Sequence, residues 1–235
     1  MSSDALLEVD GVQKNFGGFP ALRGVSLSLA RGSALGLVGP NGSGKTTLLN
    51  VISGIYAPNA GSVRLGGRDV TGRPAHALSR LGLNRTFQVP KPFGSLTARQ
   101  NVDVALAHSR RSRRKAEDVL AFVGLGEVAD REASSLNTAQ QKLLDLARAL
   151  ATDPELLLVD ELGAGLSPAD LDLVAGKLRA LNQQGIALLV VEHLMGFLGQ
   201  VTESVVVMNA GQEIFCGKLE AAAGDPQVVE VFLGG

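Results

Sequence analysis

The amino-acid sequence predicts an α/β protein: a parallel sheet covered by helices, with a small antiparallel layer beside it and a block of helices set into the middle. Three observations carry this expectation. The second half alternates short apolar runs with helix-period stretches, a glycine-rich loop joins an apolar run to a helix start near residue 40, and residues 96–150 show only helical periodicity.

Taken in order, Leu6 to Val9, Val25 to Leu29 and Ser62 to Leu65 read as short strands, with Gly66-Gly67 marking a turn after the last. They suit a flanking antiparallel layer. Ala34 to Val38 is an apolar strand, and Thr46 to Ile52 opens a helix. Leu83 to Phe87 is strand-like. From Leu96 to Leu150 the pattern is helical, with a stretch around Val102 to Ala107, the basic run Arg110 to Lys115, and Leu143, Leu146 and Leu150 at helical spacing. Strands are then expected at Leu156 to Val159, Ile186 to Val191 and Glu203 to Met208, separated by helices. The first of these helices has its own start signal, Ser167-Pro168-Ala169-Asp170, with a serine N-cap and proline at the first helical position.

A length of 235 residues suits one domain with an inserted subdomain. The 22 Lys+Arg balance 23 Asp+Glu to a formal charge of −1, so no electrostatic footprint for nucleic acid exists and no nucleic-acid partner is expected. The basic run from Arg110 to Lys115 is expected as a solvated helix face. Cys216 is the only cysteine, which excludes an intrachain disulfide; its neighbours Ile214 and Phe215 suggest a packed thiol in a late hairpin. The opening MSSDALLEVD has no basic segment before an apolar one, so no secretory signal is expected. The longest apolar run, Ile186 to Val191, is far short of the roughly 20 residues that span a bilayer.

Gly39-Pro40-Asn41-Gly42-Ser43-Gly44-Lys45-Thr46-Thr47 fills the phosphate-loop pattern G-x-x-x-x-G-K-[ST] between a strand and a helix. Glycines let successive backbone N–H groups turn inward on phosphate oxygens, and the helix start adds partial positive charge. Lys45 supplies a point charge to the outer phosphates, and the Thr46 hydroxyl is placed to ligate Mg²⁺. The chain is thus expected to bind a nucleoside triphosphate with Mg²⁺ on a P-loop NTPase (RecA-like) core.

Four apolar residues, Leu156 to Val159, run directly into Asp160-Glu161, placing two carboxylates at the end of a buried strand. Asp160 is assigned to the Mg²⁺ shell and Glu161 to the general base that polarises water. Gln88 and His193 each follow a predicted strand, at the edge where ligands bind in such sheets. Alone, Gln88 reads equally as a polar loop side chain and His193 as a structural residue. With eight Phe, one Tyr and no Trp, few side chains can stack on a base; Phe16 is the best placed and Tyr56 the second.

The series Phe16, Gly39 to Thr47, Gln88, Leu136 to Gln140, Leu156 to Glu161, Ser167 and His193 resembles the nucleotide-binding domain of ABC transporters over almost the whole chain. The resemblance implies one such domain over residues 1–235, a helical subdomain over about 95–150, and ATP hydrolysis coupled to transport. A role at Mg²⁺ and water for Gln88 and at the γ-phosphate for His193 is what the family resemblance implies. It also implies a like ATPase subunit facing this one in a homo- or heterodimer, transmembrane permease subunits, indirectly a solute-binding protein, and a peripheral place on the cytoplasmic face of the plasma membrane. Phe16-Gly17-Gly18, Arg85-Thr86-Phe87-Gln88, Ala164 to Pro168 and the ending Asp225-Pro226 to Phe232-Leu233-Gly234 resemble the ATPases of branched-chain amino-acid importers. Related subunits handle urea, amides or exported lipid, and others act on DNA or translation or serve as regulatory subunits with a decayed signature.

Three departures stand out. The family signature Leu-Ser-Gly-Gly-Gln is Leu136-Asn137-Thr138-Ala139-Gln140 here. In the family this segment reaches the γ-phosphate held by a partner subunit, so Thr138 and Ala139 put Cβ atoms where glycine allows close approach, while Asn137 retains the ability to cap the helix. Leu162 stands where proline is usual, giving up a fixed φ beside the base. Ser167 stands where aspartate is common and has a sufficient role as an N-cap.

Overall fold

The computed structural model describes residues 5–109 and 111–233. Arg110 of the basic run, Gly234 of the C-terminal resemblance and the first four residues of the N-terminal stretch lie outside them.

In chain order the elements are β1 (Ala5–Phe16), β2 (Phe19–Ala30), β3 (Ala34–Val38), α1 (Lys45–Ile52), β4 (Ala60–Leu65), β5 (Arg68–Asp69), α2 (Ala75–Arg80) and β6 (Leu83–Arg85). Three helices follow: α3 (Ala98–His108), α4 (Ala116–Val123) and α5 (Thr138–Leu150). The chain then runs through β7 (Leu156–Asp160), α6 (Pro168–Gln183), β8 (Ala187–Val191), α7 (Met195–Val201), β9 (Ser204–Asn209), β10 (Gln212–Lys218), α8 (Leu219–Ala222) and α9 (Pro226–Leu233).

Two sheets result. One is antiparallel in the order β2-β1-β4-β5; the other, in the order β10-β9-β3-β8-β7-β6, is parallel except for the β9–β10 hairpin. The central strands β3, β7 and β8 are apolar at nearly every position because helices or the antiparallel layer cover both faces. Two apolar clusters fill those faces: Leu35, Leu37, Leu158 and Leu189 meet β1, β2 and α1, while Val38, Leu157, Val159 and Val190 meet α5, α6 and α7. Burying an aliphatic side chain of this kind contributes about 1.5–3 kcal/mol. The ends of β3, β6, β7 and β8 thereby form one carboxyl edge, where the phosphate loop and Asp160 sit.

Helices α3, α4 and α5 lie between β6 and β7 in sequence and pack on one another. Two expectations are corrected by the structure. The basic run is not a helix face: residues 111–115 form an irregular connector between α3 and α4. Ser109 Oγ accepts from the Arg111 and Ser112 N–H groups and Ser112 Oγ from that of Arg114, hydrogen bonds that compete with a helical ladder. Arg111 and Arg114 pair with Glu155 and Asp153 instead. Cys216 does lie in a late hairpin, but its thiol is exposed. A register shift between Glu213 and Phe215 lets Ile214 and Phe215 both pack against the core and turns Cys216 outward on the edge strand.

Among the described residues no helix is long and apolar enough to cross a membrane.

Candidate active site

The phosphate loop is shaped by backbone that only glycine adopts easily. Gly39 has φ +149°, and a Cβ there would lie 2.2 Å from the Met208 carbonyl oxygen; Gly44, at φ +105°, would meet the Ala21 carbonyl oxygen at 2.8 Å. Lys45 is buried at the start of α1 and its ammonium donates to the Gly39 and Pro40 carbonyls at 2.7 and 3.0 Å. Burial pulls its pKa below the usual lysine value, against the opposing pull of Glu161 and Asp160. Ser43 is buried in the same loop with its Oγ unpartnered.

The loop opens on a cleft of about 280 Å³ lined by Asn41, Gly42, Gly44, Lys45, Thr46, Thr47 and Glu161, with Phe16, Phe19 and Ala21 at its other end. Phe16 is half-exposed and stacks edge-on against Tyr56, ring centroids 5.2 Å apart, so the two aromatic candidates stand together. Phe19, the most exposed aromatic side chain of the described residues at 64%, lies across the same hairpin and was not legible as a site residue.

Two polar candidates, Gln88 and His193, converge on a third, Glu161. Its Oε2 accepts from Gln88 Nε2 at 2.5 Å and its Oε1 lies 2.9 Å from His193 Nε2, across sequence separations of 73 and 32 residues. Glu161 has φ +46°, a conformation costly for a residue with a Cβ and one that recurs where function demands it. Its backbone N–H is held by the Val191 carbonyl at 2.9 Å. Asp160, by contrast, is buried and ion-paired: Arg85 Nη2 lies 2.7 Å from Oδ2, with both side chains about 5% exposed. Arg85 also donates to Asn50 Oδ1 at 2.6 Å, so α1, β6 and β7 meet at this guanidinium.

Two further residues surround Glu161. Lys142, buried on α5, donates to the carbonyls of Glu161, Leu162 and Ala164, and burial lowers its pKa. Glu192, 1% exposed, accepts from the Gly163 N–H at 2.7 Å; burial, with Glu161 adding to it, raises its pKa. Leu162, in place of the family's proline, is buried in the core. The sequence carried a signal for both polar residues: a carboxylate directly after an apolar strand, and a lone lysine on the apolar face of α5.

The signature segment lies elsewhere. Asn137 caps α5 as expected, its Oδ1 accepting from the Gln140 N–H at 2.8 Å while Gln140 Oε1 accepts from the Asn137 N–H at 3.2 Å. None of Asn137, Thr138, Ala139 and Gln140 lines this chain's own cleft. Ser167 caps α6, accepting from the Asp170 N–H and donating to Asp170 Oδ2 at 2.6 Å.

The residues present fit a nucleoside triphosphate. A cradle that a single Cβ would fill, an unpartnered buried hydroxyl within it, and free N–H groups at the start of α1 are suited to phosphate oxygens. The donor set expected for Mg²⁺, Thr46, Gln88 and Asp160, is all oxygen, which suits that hard cation; among the described residues no group of three His, Cys, Asp or Glu offers another metal site. A phosphate cradle with a strained carboxylate beside it, at the carboxyl edge of a parallel sheet, is the construction of a P-loop triphosphate hydrolase.

Comparison with known proteins narrows the class. Residues 22–164 match the family described as ABC transporter. The probable branched-chain amino acid transport ATP-binding protein LivG of Archaeoglobus fulgidus is 37% identical over 245 residues, which cover 97% of this chain and 95% of that protein. The ADP conformation of MJ1267, an ATP-binding cassette of an ABC transporter, superposes with a TM-score of 0.88 at 31% identity, covering 98% and 99% of the two chains. The dimeric, ADP- and phosphate-bound post-hydrolysis form of the cassette MJ0796 gives 0.82 at 26% identity, covering 91% and 98%. The chain belongs to the ABC transporter family and is one of its ATPases.

Proposed function

We propose that this ATPase powers uptake of branched-chain or other amino acids through separate membrane permeases, as a peripheral subunit on the cytoplasmic face paired with a like subunit. The full-length similarity to an amino-acid transport ATP-binding protein supports the solute class, and the dimeric cassette among its structural relatives supports the pairing. Residues from about 95 to 150 act as an inserted helical subdomain.

The observation that carries the catalytic reading is the meeting of Gln88 and His193 on the two oxygens of Glu161 beside the phosphate loop. Phe16 stacks on adenine, residues 39–47 hold the phosphates, and Thr46, Gln88 and Asp160 complete a Mg²⁺ shell. The cation, when bound, neutralises charge developing on the phosphate oxygens. Glu161 takes the proton of the attacking water, Gln88 orients that water, and His193 holds the γ-phosphate. Asn137, Thr138, Ala139 and Gln140 serve the partner subunit's nucleotide.

The segment after Gln88 suits contact with a permease. Val89 and Phe93 of this segment are exposed, and Ile55 and Phe87 expose apolar side chains on a groove of about 300 Å³ that residues of α2 and β6 also line. The segment is tied to the helices at several points. The Phe87 N–H donates to Asp145 of α5, Asn101 of α3 brackets Phe93, and Arg148 of α5 holds the Lys91 carbonyl. A push on it therefore reaches Gln88 and α5 together. Glu161→Gln is expected to bind ATP normally and to lose nearly all turnover, measured as phosphate release against nucleotide binding; normal turnover sinks the assignment of the base.

A further inference from the structure

We propose that Lys142 is a positioning residue for Glu161, so that the helix bearing the signature segment and the turn bearing the base move as one body. The proposal rests on reading Glu161 as the base.

An ammonium group has three hydrogens to donate, and here all of them go to one turn: the Glu161 carbonyl at 3.2 Å, that of Leu162 at 3.0 Å and that of Ala164 at 2.6 Å. Lys142 is only 4% exposed, and none of its acceptors is a carboxylate. Glu192 and Glu161 attract the charge without hydrogen-bonding it, yet burying an ammonium whose hydrogen bonds all go to backbone carbonyls is a costly way to stabilise a fold, and an apolar residue would fill the space more cheaply. What the arrangement does achieve is geometric. Glu192 Oε1 takes the Gly163 N–H at 2.7 Å from the other side, so residues 161–164 are clamped between α5 and the end of β8.

The clamp acts where restraint is most needed. Glu161 sits at φ +46°, and the next residue is Leu162, whose backbone lacks the ring that fixes φ in proline. Three carbonyl contacts supply a restraint of the kind the ring would give. Lys142 lies five residues from the Asn137 cap, about 7.5 Å along the same helix. A shift of the signature end is therefore transmitted rigidly to the carbonyls around this chain's own base.

The test compares the full chain with Lys142→Met and Lys142→Arg, reading kcat, ATP affinity and deuterium exchange of the peptide spanning residues 157–166. Lys142→Met should lower kcat on the order of 10²-fold, as expected for a misplaced catalytic group, while ATP affinity stays unchanged. Exchange at Gly163 and Ala164 should accelerate, and Lys142→Arg, which keeps the donors, should recover most of the rate. Unchanged kcat in Lys142→Met overturns the proposal, as does a parallel loss of kcat and affinity, or faster exchange that the Arg variant does not reverse. If the Met variant does not fold, Lys142→Gln is read by the same criteria; failure of both to fold overturns the positioning role, since a group that only positions the base is dispensable for folding. Normal turnover in Glu161→Gln would remove the base assignment while leaving the exchange result to report the clamp on its own.

Discussion

Restoring the family signature, by Asn137→Ser, Thr138→Gly and Ala139→Gly together, should move stability and turnover in opposite directions. Asn137 is the N-cap of α5, and serine caps about as well, so that change is close to neutral. Thr138 and Ala139 are the first two helical residues. Replacing them by glycine costs about 0.3 and about 1 kcal/mol on helix-interior propensities, which is an upper bound for a first turn. A total near 1.3 kcal/mol lowers Tm by about 3–5 °C in a chain of this size. Turnover should rise, because removing two Cβ atoms lets backbone N–H groups approach a partner subunit's γ-phosphate, and one such donor is worth roughly 10² to 10³ in rate. The assay is phosphate release by the purified protein at saturating ATP, with a thermal melt on the same preparation. A triple variant that melts as expected yet turns over no faster refutes the idea that Thr138 and Ala139 limit the reaction.

Gly39→Ala should abolish ATP binding in an equilibrium titration while the chain remains folded, because the new Cβ would sit 2.2 Å from the Met208 carbonyl and the loop must deform. Arg85→Met leaves Asp160 as a buried, unpaired charge, a loss of about 3–5 kcal/mol, which a melt should show as a fall on the order of 10 °C; adding Asp160→Asn should recover part of it. Asp145 is buried on α5, accepts from the Phe87 N–H at 2.8 Å, and has its pKa raised by that burial. A raised folded-state pKa means stability fully present below the unfolded value of about 3.9 and lost as pH rises through the folded value. Asp145→Asn keeps an acceptor for Phe87, so its unfolding free energy should be flatter over that window and no lower than wild type at neutral pH.

The parts legible in the sequence are those fixed by local rules. Ala34–Val38 and the start of α6 at Pro168 fall where the apolar run and the serine-proline signal put them, because each is decided by a few adjacent residues. Asp160-Glu161 was legible because a pair of acids rarely ends a buried strand without a reason. Strands β1 and β2 run to 12 residues each, well beyond the apolar cores read from sequence, because cross-strand pairing carries their polar ends. The basic run failed as a helix because serine hydroxyls captured its N–H groups; Lys142 and Glu192 left a signal as polar groups in apolar surroundings, but what they hold lies on another element, and Arg85 left none. Arg85 meets Asp160 across 75 residues, a pairing that no periodicity announces.

The far end of the nucleotide cleft has a consequence for fuel selection. Outside the phosphate loop its described lining is Phe16, Phe19, Ala21 and Glu161, so a base meets exposed aromatic rings, and that lining holds no side-chain amide or hydroxyl to read the edge of a purine. Stacking rewards any aromatic base to a similar degree. Guanosine and inosine triphosphates should therefore compete with ATP on nearly equal terms, and which of them drives this machine is decided by their abundance around it.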